Sequence, residues 1–195
     1  MTVAIVIILP AIVLLVAGYK TSRAGYASAT YTVVRTDRSF ELRDYPALSV
    51  VETTTAPDAN GADGSFSRLF RFISGNNLDR QKIAMTTPVF MSGVESAGTM
   101  AFVLPAGVSG TQAPRPTDGK LAVRELPSGH FAVLRYSGRR NVKNEAGALA
   151  RLRAWLQLQG LKATEARPVY GYFDPPWTPW FLRRNEVMLR LVSAP

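Results

Sequence analysis

A chain of 195 residues, 47% of them apolar, is long enough for one domain with a sizeable core plus an appendage. The absence of cysteine excludes disulfides, thiolate metal sites and cysteine nucleophiles. A formal charge of +9 favours anionic partners; because the basic residues are scattered and the aromatics fall in core-like patterns, a lipid surface or a carboxylate ligand fits better than nucleic acid.

Val3 to Gly18 is an unbroken apolar run with Pro10 near its middle, followed by Lys20 and Arg23. As a helix it reaches about 24 Å, against roughly 30 Å of bilayer hydrocarbon, and Tyr19 and Lys20 are placed to anchor at the interface. Residues 1–20 are therefore expected to be a single-pass membrane anchor, meeting the bilayer through residues 3–19. The competing reading is a secretory signal cleaved after Ala29, since Ala27-Ser28-Ala29 has the small-x-small form. No Lys or Arg precedes the run, and that cleavage point lies far beyond its end, which favours the retained anchor. The positive flank is too slight to decide which side of the membrane holds the domain.

Residues 21–30, small and polar, read as a linker to a domain spanning 31–195. Strands are expected at 31–36, 39–45 and 47–55, where β-branched and aromatic residues recur, with a loop from Ala56 to Gly64. The first helix is expected over 65–74, because Phe66, Leu69, Phe70 and Ile73 fall at i, i+3, i+4 and i+7. Asp63 or Ser65 suits its N-cap and Gly75 its end. Arg68, Arg71 and Phe72 then lie off that stripe. Further strands are expected at 81–91, interrupted by Pro88, and at 99–105.

Beyond a loop rich in glycine and proline the plan recurs: strands at 121–127 and 130–138, a helix over 144–159, then strands at 167–174 and from 185 onward. Strand pair, helix, strand pair occurs twice. The expected fold is α+β, a twisted, largely antiparallel sheet built from a duplicated unit and covered by two α-helices.

Between the last two strands lies F-D-P-P-W-T-P-W-F-L-R-R (173–184). Pro175, Pro176 and Pro179 restrict the backbone, so Trp177 and Trp180 are presented with little freedom left to lose on binding. With Arg183 and Arg184 beside them, they suit a flat, partly apolar anion. After the turn, Val187, Leu189 and Leu191 share one strand face; Glu186, Met188 and Arg190 share the other. Glu186 accordingly faces either a second cavity, where a cationic or amphipathic guest would be favoured, or an internal partner such as Arg183, Arg184 or Arg190. The internal partner is the preferred reading. Glu41 is the other carboxylate of interest.

K-I-A-M-T-T-P-V (82–89), F-D-P-P-W-T-P (173–179) with R-R-N-E-V (183–187), and E-L-R-D-Y-P (41–46) together resemble the SOUL haem-binding protein family from about Tyr31 to Val192. The resemblance implies a β-barrel-like sheet with two helices, similar to the effector-binding domains of multidrug-responsive regulators. It further implies a ligand, haem or another porphyrin, held between the first helix, around Arg68, Leu69, Arg71 and Phe72, and the loop from Asp174 to Arg184. Trp177, Trp180 and Phe72 would meet the porphyrin face, and Arg68, Arg71, Arg183 or Arg184 the propionates.

No histidine stands at a place corresponding to the axial ligand credited to some relatives. His130, the sole histidine, is far along the chain from both contact elements and is a weak candidate for the metal. Tyr172 is the alternative, or the iron is left unligated. No phosphate loop, nucleophile elbow or zinc spacing is present, so a binding protein rather than an enzyme is expected: a membrane-anchored haem or tetrapyrrole binder acting in carriage, buffering or scavenging. The alternative is a small-molecule or protein-interaction module on the same scaffold without haem.

Overall fold

The computed structural model describes residues 25–56, 63–92, 97–108 and 112–194. The expected membrane anchor or signal and the first part of the linker therefore lie outside the described residues. Among the described residues no helix is long and apolar enough to cross a membrane.

Among the described residues eleven strands and two α-helices follow in order. They are β1 (Ala27–Ser28), β2 (Thr32–Asp37), β3 (Phe40–Tyr45), β4 (Leu48–Thr55), α1 (Ser65–Ile73), β5 (Thr86–Thr87), β6 (Val89–Ser92) and β7 (Gly98–Val103). The second half contains β8 (Leu121–Leu126), β9 (Gly129–Tyr136), α2 (Val142–Leu158), β10 (Val169–Tyr172) and β11 (Asn185–Arg190). Pro88 ends β5 and separates it from β6, because it cannot donate to the ladder. Residues 27–29, expected as linker, instead add a short strand: β1 pairs in parallel with β5, and Ala29 is buried. A stretch of small residues carries no period-2 signal of its own; the neighbouring strand makes it a strand.

The main sheet has nine strands in the order β2-β3-β9-β11-β10-β6-β7-β4-β8, with every neighbouring pair antiparallel. It is α+β with two helices as expected, but the sheet is open, with β2 and β8 at its two edges, rather than barrel-like. The pairing explains the repeat in element order. One unit, β3-β4-α1-β6-β7, sets its last three strands side by side as β4, β7, β6; the other, β8-β9-α2-β10-β11, sets its own as β9, β11, β10. Each unit lends its first strand to the other, β3 to β9 and β8 to β4, and the halves meet where β6 pairs with β10.

Strand alternation divides the core. Leu42, Ala132, Leu134 and Val187 pack beneath α2 with Leu152, Trp155 and Leu156. Val51, Met91, Met100 and Phe102 pack beneath α1 with Leu69, Phe72 and Ile73. Tyr172 touches both clusters and sits where the two helical halves adjoin. The residues of opposite parity, including Val50, Phe90, Val133 and Met188, form a third cluster on the other side of the sheet.

The helix caps follow local chemistry. Asn141 accepts from the Asn144 N–H at 2.8 Å and caps α2. At α1 the cap residue is Gly64, in the left-handed region at φ 77°, which glycine occupies without strain; Asp63 supports the turn by accepting from the Ser65 and Ala56 N–H groups.

Candidate ligand-binding site

The turn between β10 and β11 is rigid for reasons its sequence states only in part. Three prolines restrict its backbone, and hydrogen bonds close it: Thr178 N–H donates to Pro175 O at 3.0 Å and Leu182 N–H to Pro179 O at 2.9 Å. Arg183 stiffens it from within, its Nε donating to Thr178 O at 2.8 Å and its Nη2 to Pro176 O. The base is tied by the Arg184 N–H to Asp174 at 2.7 Å. One flank is tied by the Gly138 N–H to Trp180 O at 3.0 Å.

Held this way, the turn presents an apolar surface. Trp177 is 67% exposed, Trp180 52%, Phe181 58% and Leu182 58%. The Trp180 and Phe181 rings meet edge to face, 5.6 Å apart. Four large apolar side chains open to solvent on a braced turn form an exposed patch of the kind that makes a candidate binding surface.

A polar cluster lies beside it. Tyr172, the last residue of β10, donates its hydroxyl to Glu145 in the first turn of α2. The Arg140 Nε is 3.7 Å from Glu145 Oε1, and its guanidinium lies 5.5 Å from the Tyr172 ring centre. Among the described residues Tyr136 Oη, Glu145 Oε2 and Arg140 Nε are buried without a hydrogen-bond partner. Burial pushes the Glu145 carboxyl above the ordinary 4.5, only partly offset by the Tyr172 hydrogen bond and the Arg140 charge. Burial, then the neighbouring Tyr136 and Glu145, drive the Tyr172 phenol far above 10. A phenolate at Tyr172 is thus strongly disfavoured, and its oxygen is already engaged. Sequence reasoning missed Tyr136, Arg140 and Glu145; the only available signal was an arginine pair immediately before a helix cap.

The residues expected on α1 are arranged differently from the expectation. Leu69 and Phe72 are fully buried against the sheet, whereas Phe66 and Phe70 are exposed and stacked 6.1 Å apart. Two apolar stripes compete on this short helix, sharing Leu69 and Ile73, and the sheet selects the one that includes Phe72. Neither Leu69 nor Phe72 can therefore offer a face to a ligand. Arg68 is occupied with Asp63 O at 3.1 Å and Thr54 O at 3.3 Å. Arg71 remains exposed in the last turn.

On the opposite face of the sheet Glu186 is fully buried and ion-paired. Arg43, also fully buried, grips it with two bonds of 2.7 and 2.8 Å, and reaches Glu41 at 2.7 Å. The same guanidinium bonds the Tyr45 hydroxyl at 3.0 Å and lies 4.1 Å from the Tyr31 ring centre. Arg184 adds a bond of 2.6 Å to Glu186, and Arg135 one of 2.8 Å to Glu41. The preferred internal-partner reading of Glu186 is thus met, but mainly by Arg43, a residue 143 positions away. A place that could have held a cationic guest is filled by the chain's own guanidinium.

This network makes stability depend on acid. Burial alone would raise the Glu186 pKa, but hydrogen bonding and charge from Arg43, then Arg184, hold it below 4.5. Its folded pKa is depressed, so the stabilisation is complete above the unfolded value and is lost as pH falls through the folded one. The melting temperature is expected to drop more steeply for the native chain than for Glu186→Gln as pH is lowered from neutrality to below 4.5. Parallel curves for the two proteins would refute this.

His130 lies at the other end of β9 from the turn, six residues before Tyr136, the partner of Asn185. At about 3.4 Å per residue that is about 20 Å away. Its Nδ1 is bonded to Asp44. Among the described residues no group of three or more His, Cys, Asp or Glu could hold a metal ion.

A family model described as SOUL heme-binding protein matches residues 26–190. No curated protein matches the chain. Among solved structures, the EcmrR C-terminal domain is 13% identical with a TM-score of 0.59, covering 84% of this chain and 99% of its own. A structure named as a hydrolase from Listeria innocua is 12% identical with a TM-score of 0.60, covering 81% and 94% respectively. An uncharacterized conserved protein from Listeria innocua gives 12% and 0.61, covering 80% and 93%. At such identities the likeness concerns the fold alone.

Proposed function

The chain belongs to the SOUL heme-binding protein family, and from that premise we propose that it binds haem or a related tetrapyrrole reversibly, in carriage, buffering or scavenging, without acting on it as an enzyme. The observation that carries the reading is the braced, exposed turn of Trp177, Trp180, Phe181 and Leu182, which offers aromatic and apolar surface to a porphyrin. Beside it, Arg140 Nε, 3.7 Å from Glu145, and the buried Tyr136 hydroxyl next to Tyr172 are polar groups with hydrogen-bonding capacity left over, a chemistry that suits a propionate. Arg139, exposed beside Arg140, is a further cation for the second propionate. Arg183 and Arg184 shape the turn from within and contribute charge rather than free donors. Leu69 and Phe72 support α1 from beneath.

Iron would supply its own coordination chemistry when haem is bound; no side chain at the turn is assigned to it, since Tyr172 is held protonated chiefly by burial, with its hydroxyl engaged by Glu145, and His130 is distant. Residues 3–19 are proposed to tether the domain to a bilayer, by their unbroken apolar character.

Titration of the purified chain with hemin tests the reading. A saturating Soret shift is expected, accompanied by quenching of Trp177 and Trp180. Trp177→Ala/Trp180→Ala is expected to weaken binding about tenfold or more, equivalent to at least about 1.4 kcal/mol. His130→Ala is expected to leave the spectrum unchanged. Absence of a Soret shift in the native chain would exclude the proposal.

A further inference from the structure

The same turn stands amid features that a ligand does not require: the start of the described chain and a set of outward cations. We propose that the face bearing Trp177, Trp180, Phe181 and Leu182 is a docking surface for an anionic phospholipid bilayer. The inference does not rest on haem being the ligand.

Tryptophan and phenylalanine on a rigid turn are suited to the headgroup region, where an amphipathic ring has apolar and polar surroundings at once. The turn is already ordered by Arg183 and by the Gly138 contact, so insertion carries little conformational cost.

The path of the chain gives a reason for the partner to be lipid. β1 pairs with Thr86–Thr87, directly before β6, and the first residue of β6, Val89, pairs with Tyr172 at the base of the turn. The described chain therefore starts at the turn's own end of the sheet. Residues 19–24 separate that start from the apolar run Val3 to Gly18. Fully extended, six residues reach about 20 Å, so a bilayer holding the run is within reach of the turn.

Charge agrees with an anionic surface. Arg38, Arg139 and Lys143 are exposed at this end. Three carboxylates near it are engaged by the protein's own groups, Asp174 with the Arg184 N–H, Glu145 with Tyr172 and Glu186 with Arg43, and the exposed Asp37 beside Arg38 accepts from Trp155 Nε1 at 2.8 Å. Three outward cations against one exposed carboxylate, Asp37, leave an excess of positive charge that attracts phosphatidylglycerol or phosphatidylserine headgroups.

The test uses the full chain with haem-free vesicles of phosphatidylcholine and phosphatidylglycerol carrying brominated acyl chains, which quench only tryptophans at the membrane. Trp155 is buried beneath α2 and serves as the internal control. The native chain is expected to lose about half of its emission or more, and Trp177→Phe/Trp180→Phe, retaining Trp155, to lose almost none. Phe181→Asp/Leu182→Asp is expected to reduce the quenching. Unquenched native emission, equal fractional losses in native and double-variant chains, or failure to sediment with the vesicles would each overturn the proposal. Because no haem is present, a negative result here is separate from a negative hemin titration.

Discussion

Arg43→Ala is expected to lower the free energy of unfolding by about 3–5 kcal/mol, the usual effect of removing one partner from a buried ion pair. The magnitude follows from what remains. Glu186 is fully buried and Glu41 nearly so, and Arg43 supplies the only guanidinium among the described residues that bonds both oxygens of Glu186. Arg184 and Arg135 stay nearby, but both are partly exposed and approach the carboxylates from the rim. Tyr45, whose hydroxyl is pushed up to about 12 mainly by burial, would also lose its Arg43 contact. Removing charge on both sides should behave differently: Arg43→Met/Glu41→Gln/Glu186→Leu leaves less unpaired charge and is expected to recover most of the loss. Urea unfolding of the native, single and triple variants measures both effects. A single-variant loss below about 1 kcal/mol would mean that the carboxylates reach water or other cations, and the network would not be the anchor described above.

Phe72→Ala separates a core role from a ligand role. The side chain is fully buried among Val51, Met100 and Phe102, so its removal leaves a cavity, and the expected loss is about 3–5 kcal/mol in unfolding free energy. Hemin affinity of the folded variant is expected to stay within about twofold of native, a change of less than about 0.5 kcal/mol. The reverse pattern, unchanged stability with weakened hemin binding, would place Phe72 at the ligand after all. Phe70→Ala, on the exposed side of the same helix, is expected to change stability by less than about 1 kcal/mol, and provides the comparison within one element.

The α1 result shows how far periodicity carries. Phe66, Leu69, Phe70 and Ile73 satisfy the helical spacing, and so does the stripe through Ser65, Leu69, Phe72 and Ile73. A helical repeat defines candidate faces; packing against β4 and β7 decides between them. The open sheet has a similar origin. Strand parity correctly separates Val187 and Leu189 from Glu186 and Met188, yet no local pattern states whether β2 and β8 meet. Linker residues 27 and 28 became a strand of a separate two-stranded ladder because Thr86 and Thr87 offered an edge, not because of their own composition.

The candidate site divides in the same way. The prolines and tryptophans of 173–180 announce a stiff aromatic turn, and their exposure agrees with that reading. The arginines that follow read as ligand contacts, whereas Arg183 binds the turn's own carbonyls and Arg184 binds Glu186. A guanidinium has several donors and no preference written into its position; the nearest well-placed acceptors claim it.

By itself the sequence determined the order of the two helices and the main-sheet strands, the repeat of that order, the family likeness and the stiffness of the turn, because these depend on residues close together along the chain. It did not show β1, nor that the strand expected at 81–91 starts only at Thr86. Only the tertiary structure decided that Arg43 neutralises Glu186, that Phe72 is core, that Tyr136, Arg140 and Glu145 gather beside the turn, and that His130 stands away from it. Each of those outcomes pairs groups from separate strands or helices. Burial and charge act through space, so their partners are chosen by the folded arrangement rather than by spacing in the chain.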